Sequence, residues 1–171
     1  RRPHWGRPMA YVDFVGRLHT ATKRDYVQGV VDHEKAECAE VAIRYGRDYW
    51  DGERCFGYGG YRYDGRGRVV AEAMIEHYGL RPGARILDVG CGKAFLLYEF
   101  TQAPEGAEVA GIDVSEYAIA NAKEEVRDRL RVGNAIELPW PDDSFDFVYS
   151  ITTLHNLKNH ELQRALAEIE R

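Results

Sequence analysis

An acidic residue followed by two closely spaced glycines forms a combination that can hold a small ligand. Asp88, Gly90 and Gly92 lie in the run LDVGCGKA, residues 87–94. Glycine tolerates positive φ and has no Cβ, so backbone N–H groups at such a turn can approach a ligand closely. About twenty residues further on, Asp113 follows a second apolar run, where a carboxylate can accept hydrogen bonds from a ribose. Together the two patterns predict a nucleotide-containing ligand.

Two other nucleotide-site patterns fit this run less well. The dinucleotide fingerprint G-x-G-x-x-G/A would require a small residue where Phe95 stands. The phosphate-binding loop G-x-x-x-x-G-K-[ST] would require glycine at Leu87 and a hydroxyl residue at Ala94. The spacing that remains, D-x-G-x-G-x-(G/A), resembles motif I of the class I S-adenosylmethionine-dependent methyltransferases. Another nucleotide-binding Rossmann-like protein is the alternative.

The resemblance implies S-adenosylmethionine as cofactor, S-adenosylhomocysteine as product, and a role for individual residues. The glycine turn would line the methionine part, with the next helix directing its N-terminus at the carboxylate. Asp113 would hold the ribose hydroxyls, and Asn134 would accept a hydrogen bond from the adenine amino group in place of the family's usual acid. Ala94 stands where the family usually has glycine, which would narrow the loop. The implied cofactor residues are Asp88, Gly90, Cys91, Gly92, Asp113, Val114, Ser115, Asn134, Ala135 and Ser150.

Residues for catalysis and substrate binding are suggested at two further places. His155 lies in a segment where the family places residues that face the substrate, and histidine is the most common general base in enzymes, so it is the candidate base. The alternative is a structural histidine. Residues 49–67 are rich in tyrosine and glycine, which predicts a substrate-recognition lid containing Tyr58, Tyr61 and Tyr63. The alternative is a surface loop whose rings pack on the sheet edge or on a partner chain.

The elements that must position these residues alternate between strand and helix. Hydrophobic periodicity predicts strands at residues 84–89, 108–114, 130–133 and 145–151, and helices at 68–78, 93–101, 116–130 and 161–170. Ser115 and Asn159 are the expected N-caps of the last two helices. This alternation is typical of an α/β fold with a doubly wound, mostly parallel sheet. A Rossmann-like core is therefore expected over residues 68–171, after an N-terminal helical cap and the tyrosine-rich loop over residues 1–67.

Within the N-terminal part, three helices are predicted. Tyr11, Phe14, Val15 and Leu18 have the spacing of one apolar helical face, and further helices are expected at residues 23–31 and at 34–45, the last with Asp32 as its N-cap and Gly46 as its end. The class I methyltransferase sheet has seven strands and four are predicted here. A truncated or incomplete chain is the favoured explanation, and a protein that completes its sheet through a partner is the alternative.

The composition of the sequence argues against several classes of partner. The net charge is −5 and no basic stripe is present, which argues against a nucleic-acid substrate. No run of eighteen apolar residues occurs, which argues against a membrane span. The three cysteines include no C-x-x-C and indicate free thiols in a reducing cytoplasm, and the histidine spacing predicts no metal site.

The favoured function is that of a cytoplasmic methyltransferase that transfers a methyl group from S-adenosylmethionine to an O or N atom of a small molecule. The acceptor is expected to enter between the glycine turn and the tyrosine-rich loop. The alternatives are a non-catalytic cofactor-binding or scaffolding subunit of a larger assembly, and a protein-directed methyltransferase. A homo-oligomer is left open.

Overall fold

Four parallel strands form the centre of a computed structural model that describes residues 11–16 and 35–171. They are β1 (Arg85–Val89), β2 (Glu108–Asp113), β3 (Leu130–Val132) and β4 (Phe147–Tyr149), in the spatial order β3-β2-β1-β4. The chain moves outward from β1 through β2 to β3 and then returns to the other side of β1. This reversal puts a topological switch point between β1 and β4, where α/β sheets bind ligands at the carboxyl ends of their strands.

Six α-helices and three 3₁₀-helices accompany the sheet within the described residues. The α-helices are α1 (Lys35–Ala42), α2 (Arg47–Asp51), α3 (Arg68–Tyr78), α4 (Phe95–Phe100), α5 (Glu116–Ala120) and α6 (Asn159–Glu170). The 3₁₀-helices are Arg54–Phe56, Glu124–Arg129 and Leu154–Asn156. Across residues 11–16 and 35–171, no helix has the length and apolar character needed to cross a bilayer.

Apolar side chains cover both faces of the sheet. On one face, Ile86 of β1 packs in a cluster with side chains from α3 and α4, including Val70 and Phe100. On the other face, Leu87 and Val89 pack with residues that include Ala165 of α6. Because successive side chains of a strand point to opposite faces, one apolar strand supplies both clusters. The predicted doubly wound α/β fold is therefore confirmed.

The helix before the sheet begins and ends where the sequence predicts. The apolar spacing in residues 68–78 matches α3, whose buried residues include Val70 and Met74. Gly79 follows in the left-handed conformation with φ 63°, and its N–H bonds back to the helix. Glycine adopts this conformation without the strain that a Cβ would introduce, so the helix ends here.

The helix predicted over residues 116–130 is wrong in its length. α5 stops at Ala120, and a separate 3₁₀-helix begins at Glu124. The break occurs because the Lys123 N–H donates to the carbonyl of Lys93 at 3.1 Å instead of continuing the helix. The predicted N-cap is confirmed, since the Ser115 side chain accepts the Ala118 N–H.

The helix predicted from Tyr11 is not formed over residues 11–15. The Asp13 carboxylate accepts the Gly16 N–H at 2.6 Å, a local turn that competes with helix formation. Phe14 instead places its ring against His77 and Tyr78 of α3, with centroids 5.3 and 5.7 Å away. Leu18, Asp32 and the helix predicted at residues 23–31 lie outside the described residues.

Three other helices have bounds that differ from the prediction. The helix expected over residues 34–45 ends at Ala42, because a turn follows in which Tyr45 has φ 47°. Gly46 is the N-cap residue before α2 and does not end the earlier helix. α4 is six residues long, shorter than predicted, because Ala94 before it is left-handed. Asn159, the predicted N-cap, is instead the first residue of α6. The N-cap position is occupied by Lys158, whose backbone N–H donates to the Glu161 carboxylate at 2.8 Å.

Candidate functional site

A cavity of about 680 Å³ opens at the carboxyl ends of the strands. Its size lies within the range of about 300–1,000 Å³ that is typical of small-molecule sites. Most of the residues that the sequence assigns to the cofactor or the substrate line it. They are Asp88, Gly90, Cys91, Gly92, Asp113, Val114, Asn134, Ala135, Tyr58, Tyr61 and Tyr63. The fold thus brings together residues that are separated by up to about eighty positions in the sequence.

Two glycines of the glycine loop, residues 90–94, are required by their surroundings as well as by their backbone. Gly90 has φ 86°, and a Cβ there would lie 2.0 Å from Oγ1 of Thr153. Gly92 has φ 54°, and a Cβ there would lie 2.7 Å from the ring of Trp50. Any side chain at either position would therefore combine backbone strain with a collision. The loop is packed between the segment after β4 and the N-terminal part of the chain.

Ala94, which stands where the family usually has glycine, does not narrow the cavity. It adopts the left-handed conformation with φ 56°, but it is fully buried within the apolar core and does not line the cavity. Its N–H donates to the Cys91 carbonyl at 2.8 Å, and its own carbonyl accepts the Tyr98 N–H at 2.9 Å. The expectation of a narrowed loop was wrong because the methyl group points into the core.

Asp113, at the end of β2, fixes the glycine loop against the neighbouring strand. Its Oδ2 accepts the Gly92 N–H and its Oδ1 accepts the Ser115 N–H, both at 2.8 Å. Burial raises the pKa of this carboxyl group, and the two backbone donors act in the opposite direction. Each carboxylate oxygen carries two lone pairs, so each can still accept a hydrogen bond from a ligand hydroxyl group.

Asp88 and Tyr149 form a buried polar pair beneath the loop. They are direct neighbours in the β1–β4 register, so their side chains lie on the same face of the sheet. Burial raises the pKa of Asp88 to about 7, with a further increase from Asp113, while the Tyr149 hydroxyl partly offsets both. That hydroxyl is itself fully buried and has no partner in proper hydrogen-bond geometry, although Asp88 is close enough to act on it. An unpartnered buried hydroxyl beside the cavity fits a ligand that supplies the missing partner.

The adenine-side candidates lie around the ends of β2 and β3. Val114 is 49% exposed, Asn134 is exposed and Ala135 is buried, and all three line the cavity. The side-chain oxygen of Asn134 accepts the Ile136 N–H at 3.2 Å, which fixes the amide in a local turn. This oxygen retains a second lone pair that a ligand amino group can use.

The tyrosine-rich stretch, which we call the aromatic segment (residues 49–67), packs against the glycine loop. The Trp50 and Tyr58 rings are stacked, with centroids 5.1 Å apart and an interplanar angle of 4°. Tyr61 lies 4.5 Å from Tyr58 and stacks on Phe95, the first residue of α4, at 4.9 Å. The Tyr63 hydroxyl donates to Glu99 at 2.7 Å, which raises the pKa of Tyr63 to about 12. The rings of Trp50, Tyr58, Tyr61 and Tyr63 together form one wall of the cavity.

A cluster that the sequence analysis missed joins this segment to the loop. Lys93 is buried inside the glycine loop, and its ammonium lies 2.7 Å from both carboxylate oxygens of Asp51. Tyr117 of α5 donates to the same carboxylate at 2.8 Å. No local pattern indicates this cluster, because its members are 42 and 66 positions apart. The nearest signal is the position of Lys93 between two residues of the motif.

Three predicted site residues lie outside the cavity lining. His155 is exposed on the 3₁₀-helix Leu154–Asn156, while Asn156 and Leu157 after it reach the cavity. The Ser150 hydroxyl donates to the Val89 carbonyl at 2.7 Å, and Ser115 caps α5. Both serines thus hold the strand ends in place. The structure gives His155 no position from which it contacts the cavity.

Comparison with known proteins identifies relatives over this region. A family model described as "Methyltransferase domain" matches residues 87–171. A sterol 24-C-methyltransferase of Gibberella zeae is 40% identical over 101 residues, which cover 50% of this chain and 26% of that protein. A demethylmenaquinone methyltransferase of Lysinibacillus sphaericus is 34% identical over 91 residues, which cover 50% of this chain and 39% of that protein.

The same region is similar to solved structures. The YcgJ protein of Bacillus subtilis superimposes with a TM-score of 0.51 at 26% identity, over 59% of this chain and 44% of that one. The regions matched in the two curated methyltransferases make up 26% and 39% of those proteins, so this chain spans less than half of their length.

Proposed function

Since this chain belongs to the class I S-adenosylmethionine-dependent methyltransferase family, we propose that it transfers the methyl group of S-adenosylmethionine to an O or N atom of a small molecule. The arrangement of Asp88, Tyr149 and Asp113 around the glycine loop is the observation that carries this proposal. It places two carboxyl groups and one unpartnered hydroxyl at the carboxyl ends of adjacent strands. These groups can bind the hydroxyl and amino groups that the cofactor presents.

Each region of the cavity suits one part of the cofactor. Asp113 would accept the ribose hydroxyls, while Val114, Asn134 and Ala135 would contact the adenine. The glycine loop, with Asp88 beneath it, would hold the methionine part. When bound, the cofactor supplies a methyl group on a sulfonium, which is already a good leaving group.

The acceptor side of the cavity is formed by the aromatic segment. Tyr58, Tyr61 and Tyr63 would orient the acceptor and exclude water from it, and the faces of such rings attract a cationic cofactor. Because His155 is exposed and outside the lining, the proposal needs no base at this position. We propose that orientation and exclusion of water supply most of the rate.

A ring-bearing, largely apolar acceptor fits these walls best. The curated relatives carry names that refer to a sterol and to demethylmenaquinone, both of which are ring compounds. The name of the sterol relative specifies a carbon acceptor, so a search for the acceptor atom should include carbon as well as O and N.

Calorimetry with S-adenosylmethionine, S-adenosylhomocysteine and NAD tests the cofactor proposal. We expect micromolar binding of the first two ligands and none of NAD. Asp113→Asn should weaken the binding of S-adenosylmethionine and S-adenosylhomocysteine by at least about tenfold, because an amide offers the ribose one acceptor oxygen where the carboxylate offers two. The exposed Asp128→Asn is the matched control. Equal binding of NAD would refute the assignment.

Turnover separates the enzyme from a cofactor-binding scaffold. With ring-containing acceptors, the enzyme should convert S-adenosylmethionine to S-adenosylhomocysteine and add one methyl mass to the acceptor. A chain that binds the cofactor tightly, yet methylates neither small molecules nor proteins in a broad screen, would support the scaffold alternative.

A further inference from the structure

The buried ammonium of Lys93 makes all of its observed hydrogen bonds with the aromatic segment. Besides the two Asp51 oxygens at 2.7 Å, its Nζ donates to the Tyr61 carbonyl at 3.0 Å. The side chain is only 6% exposed, while that of Asp51 is 26% exposed. A lysine has three donor hydrogens, and the observed partners can use all of them. The cation is therefore committed to the N-terminal part of the chain and not directed at the cavity.

Asp51 gathers donors from three separate elements. Lys93 comes from the loop after β1, Tyr117 comes from α5 after β2, and the Tyr61 N–H at 3.3 Å comes from the aromatic segment itself. Burial acts to raise the pKa of Asp51, but the hydrogen bonds from Lys93 and Tyr117 outweigh it and hold the pKa below its ordinary value. The carboxylate is thus ionised at neutral pH and attaches the segment both to the glycine loop and to α5.

The next residue along the chain transmits this attachment to the glycine loop. Trp50 precedes Asp51, is 6% exposed and lies against Gly92, where a Cβ would meet its ring at 2.7 Å. The indole N–H donates to the Ser115 hydroxyl at 2.8 Å, so the ring is also held at the end of β2. The position of Trp50 over the loop therefore depends on the Asp51 anchor and on Ser115.

We propose that Lys93, Asp51 and Tyr117 are positioning residues that hold the aromatic segment closed over the cofactor site and thereby set how fast the cofactor leaves. The proposal rests on the proposed function, because it concerns S-adenosylmethionine and S-adenosylhomocysteine in this cavity. Gly92, which would contact the methionine part of the cofactor, packs against Trp50, and Asp113, which would contact the ribose, accepts the Gly92 N–H. The aromatic segment must move for the cofactor to exchange, and the cluster opposes that movement.

Two variants remove the cluster in different ways. Asp51→Asn keeps the shape of the side chain but leaves the buried Lys93 ammonium without its counter-charge, which is destabilising. The double variant Asp51→Asn with Lys93→Met removes that unpaired charge as well, so it should fold even if the single variant does not. Glu72→Gln is the matched control, because the Arg68–Glu72 pair at 2.9 Å is 70% and 54% exposed.

The first measurement is hydrogen exchange in the ligand-free chain. The indole N–H of Trp50 donates to the Ser115 hydroxyl at 2.8 Å and to the Tyr45 carbonyl at 3.1 Å, both outside the segment, so its exchange reports whether the segment is closed. Both cluster variants should speed exchange of this indole N–H by at least about tenfold, while the amides of β1 and the control variant stay unchanged. Unchanged exchange in folded cluster variants would overturn the proposal.

The second measurement is stopped-flow kinetics of S-adenosylhomocysteine. The dissociation rate should rise by at least about tenfold in both cluster variants, while the association rate changes by less than about threefold. A purely structural role would lower stability without changing the dissociation rate of the folded fraction, and that result would overturn the proposal. Absence of binding by the unmodified chain would instead refute the proposed function, and the exchange data would then still show whether the cluster closes the segment.

Discussion

Asp88→Asn tests the electrostatics of the site through the pH dependence of stability. Burial raises the pKa of Asp88 to about 7 in the folded chain, whereas an unfolded aspartate titrates near about 3.9. Between these values the folded state holds a proton that the unfolded state has released. The free energy of unfolding should therefore be highest below the unfolded pKa and fall as the pH rises through about 7.

The magnitude follows from the size of the pKa shift. Each pH unit within this window costs about 1.4 kcal/mol, so Asp88 alone should lower the free energy of unfolding by about 3 kcal/mol between about pH 5 and about pH 8. Asparagine does not titrate, so Asp88→Asn should lack this part of the pH dependence. Relative to the unmodified chain, the variant should gain about 3 kcal/mol over the same interval.

Urea unfolding at several pH values provides the assay. Titrating groups distant from Asp88 contribute equally to both chains, so the difference between the two profiles isolates Asp88 together with its interactions with Asp113 and Tyr149. Asp128→Asn, at an exposed position, should leave the profile unchanged. Parallel profiles for Asp88→Asn and the unmodified chain would refute the argument, because they would show that Asp88 is already ionised in the folded chain at about pH 5.

Two further predictions concern the loop and the histidine. Gly92→Ala should weaken binding of S-adenosylhomocysteine and lower the free energy of unfolding by about 2 kcal/mol or more, because it adds left-handed strain and displaces Trp50. Gly83→Ala is the control, because Gly83 has φ 77° but open space around its Cβ position, so this variant adds the strain alone. Equal losses of stability in the two variants would contradict the Trp50 contact. His155→Ala should keep turnover within about twofold, because the side chain is exposed, whereas a loss of about a hundredfold or more would show that it acts as the general base.

Local signals in the sequence were sufficient for the framework of the site. The bounds of α3 follow from an uninterrupted helical period and a terminal glycine, both of which act within a few residues. Asp88 and Asp113 each lie near the end of a short apolar run that the sequence marks as a strand. Because these two strands are neighbours in the sheet, the two aspartates lie close together. These features depend on nearest neighbours along the chain, so the sequence displays them directly.

Features that depend on distant pairing were not predictable in the same way. The helix after Ser115 breaks because the Lys123 N–H pairs with Lys93, thirty positions away, and the local periodicity gives no sign of this. The helix expected at Phe14 is replaced by a local turn, in which Asp13 accepts the Gly16 N–H, and by a ring contact between Phe14 and α3. In both cases a contact with a distant part of the chain contributes, and helix propensity, which amounts to less than about 1 kcal/mol per residue, is too small to oppose it.

The charges around the cavity favour a cationic cofactor over a dinucleotide. Asp88 and Asp113 lie near the ends of adjacent strands, and burial raises the pKa of Asp88, with a further increase from Asp113. Lys93 occupies the loop position from which a cation could meet a phosphate, but its ammonium is bound to Asp51. A pyrophosphate at this loop would therefore face carboxylates, whereas a ligand that carries an ammonium and a sulfonium would be attracted by them. This is the physical reason to expect that NAD does not bind, and it distinguishes the two nucleotide-site interpretations that the glycine spacing left open.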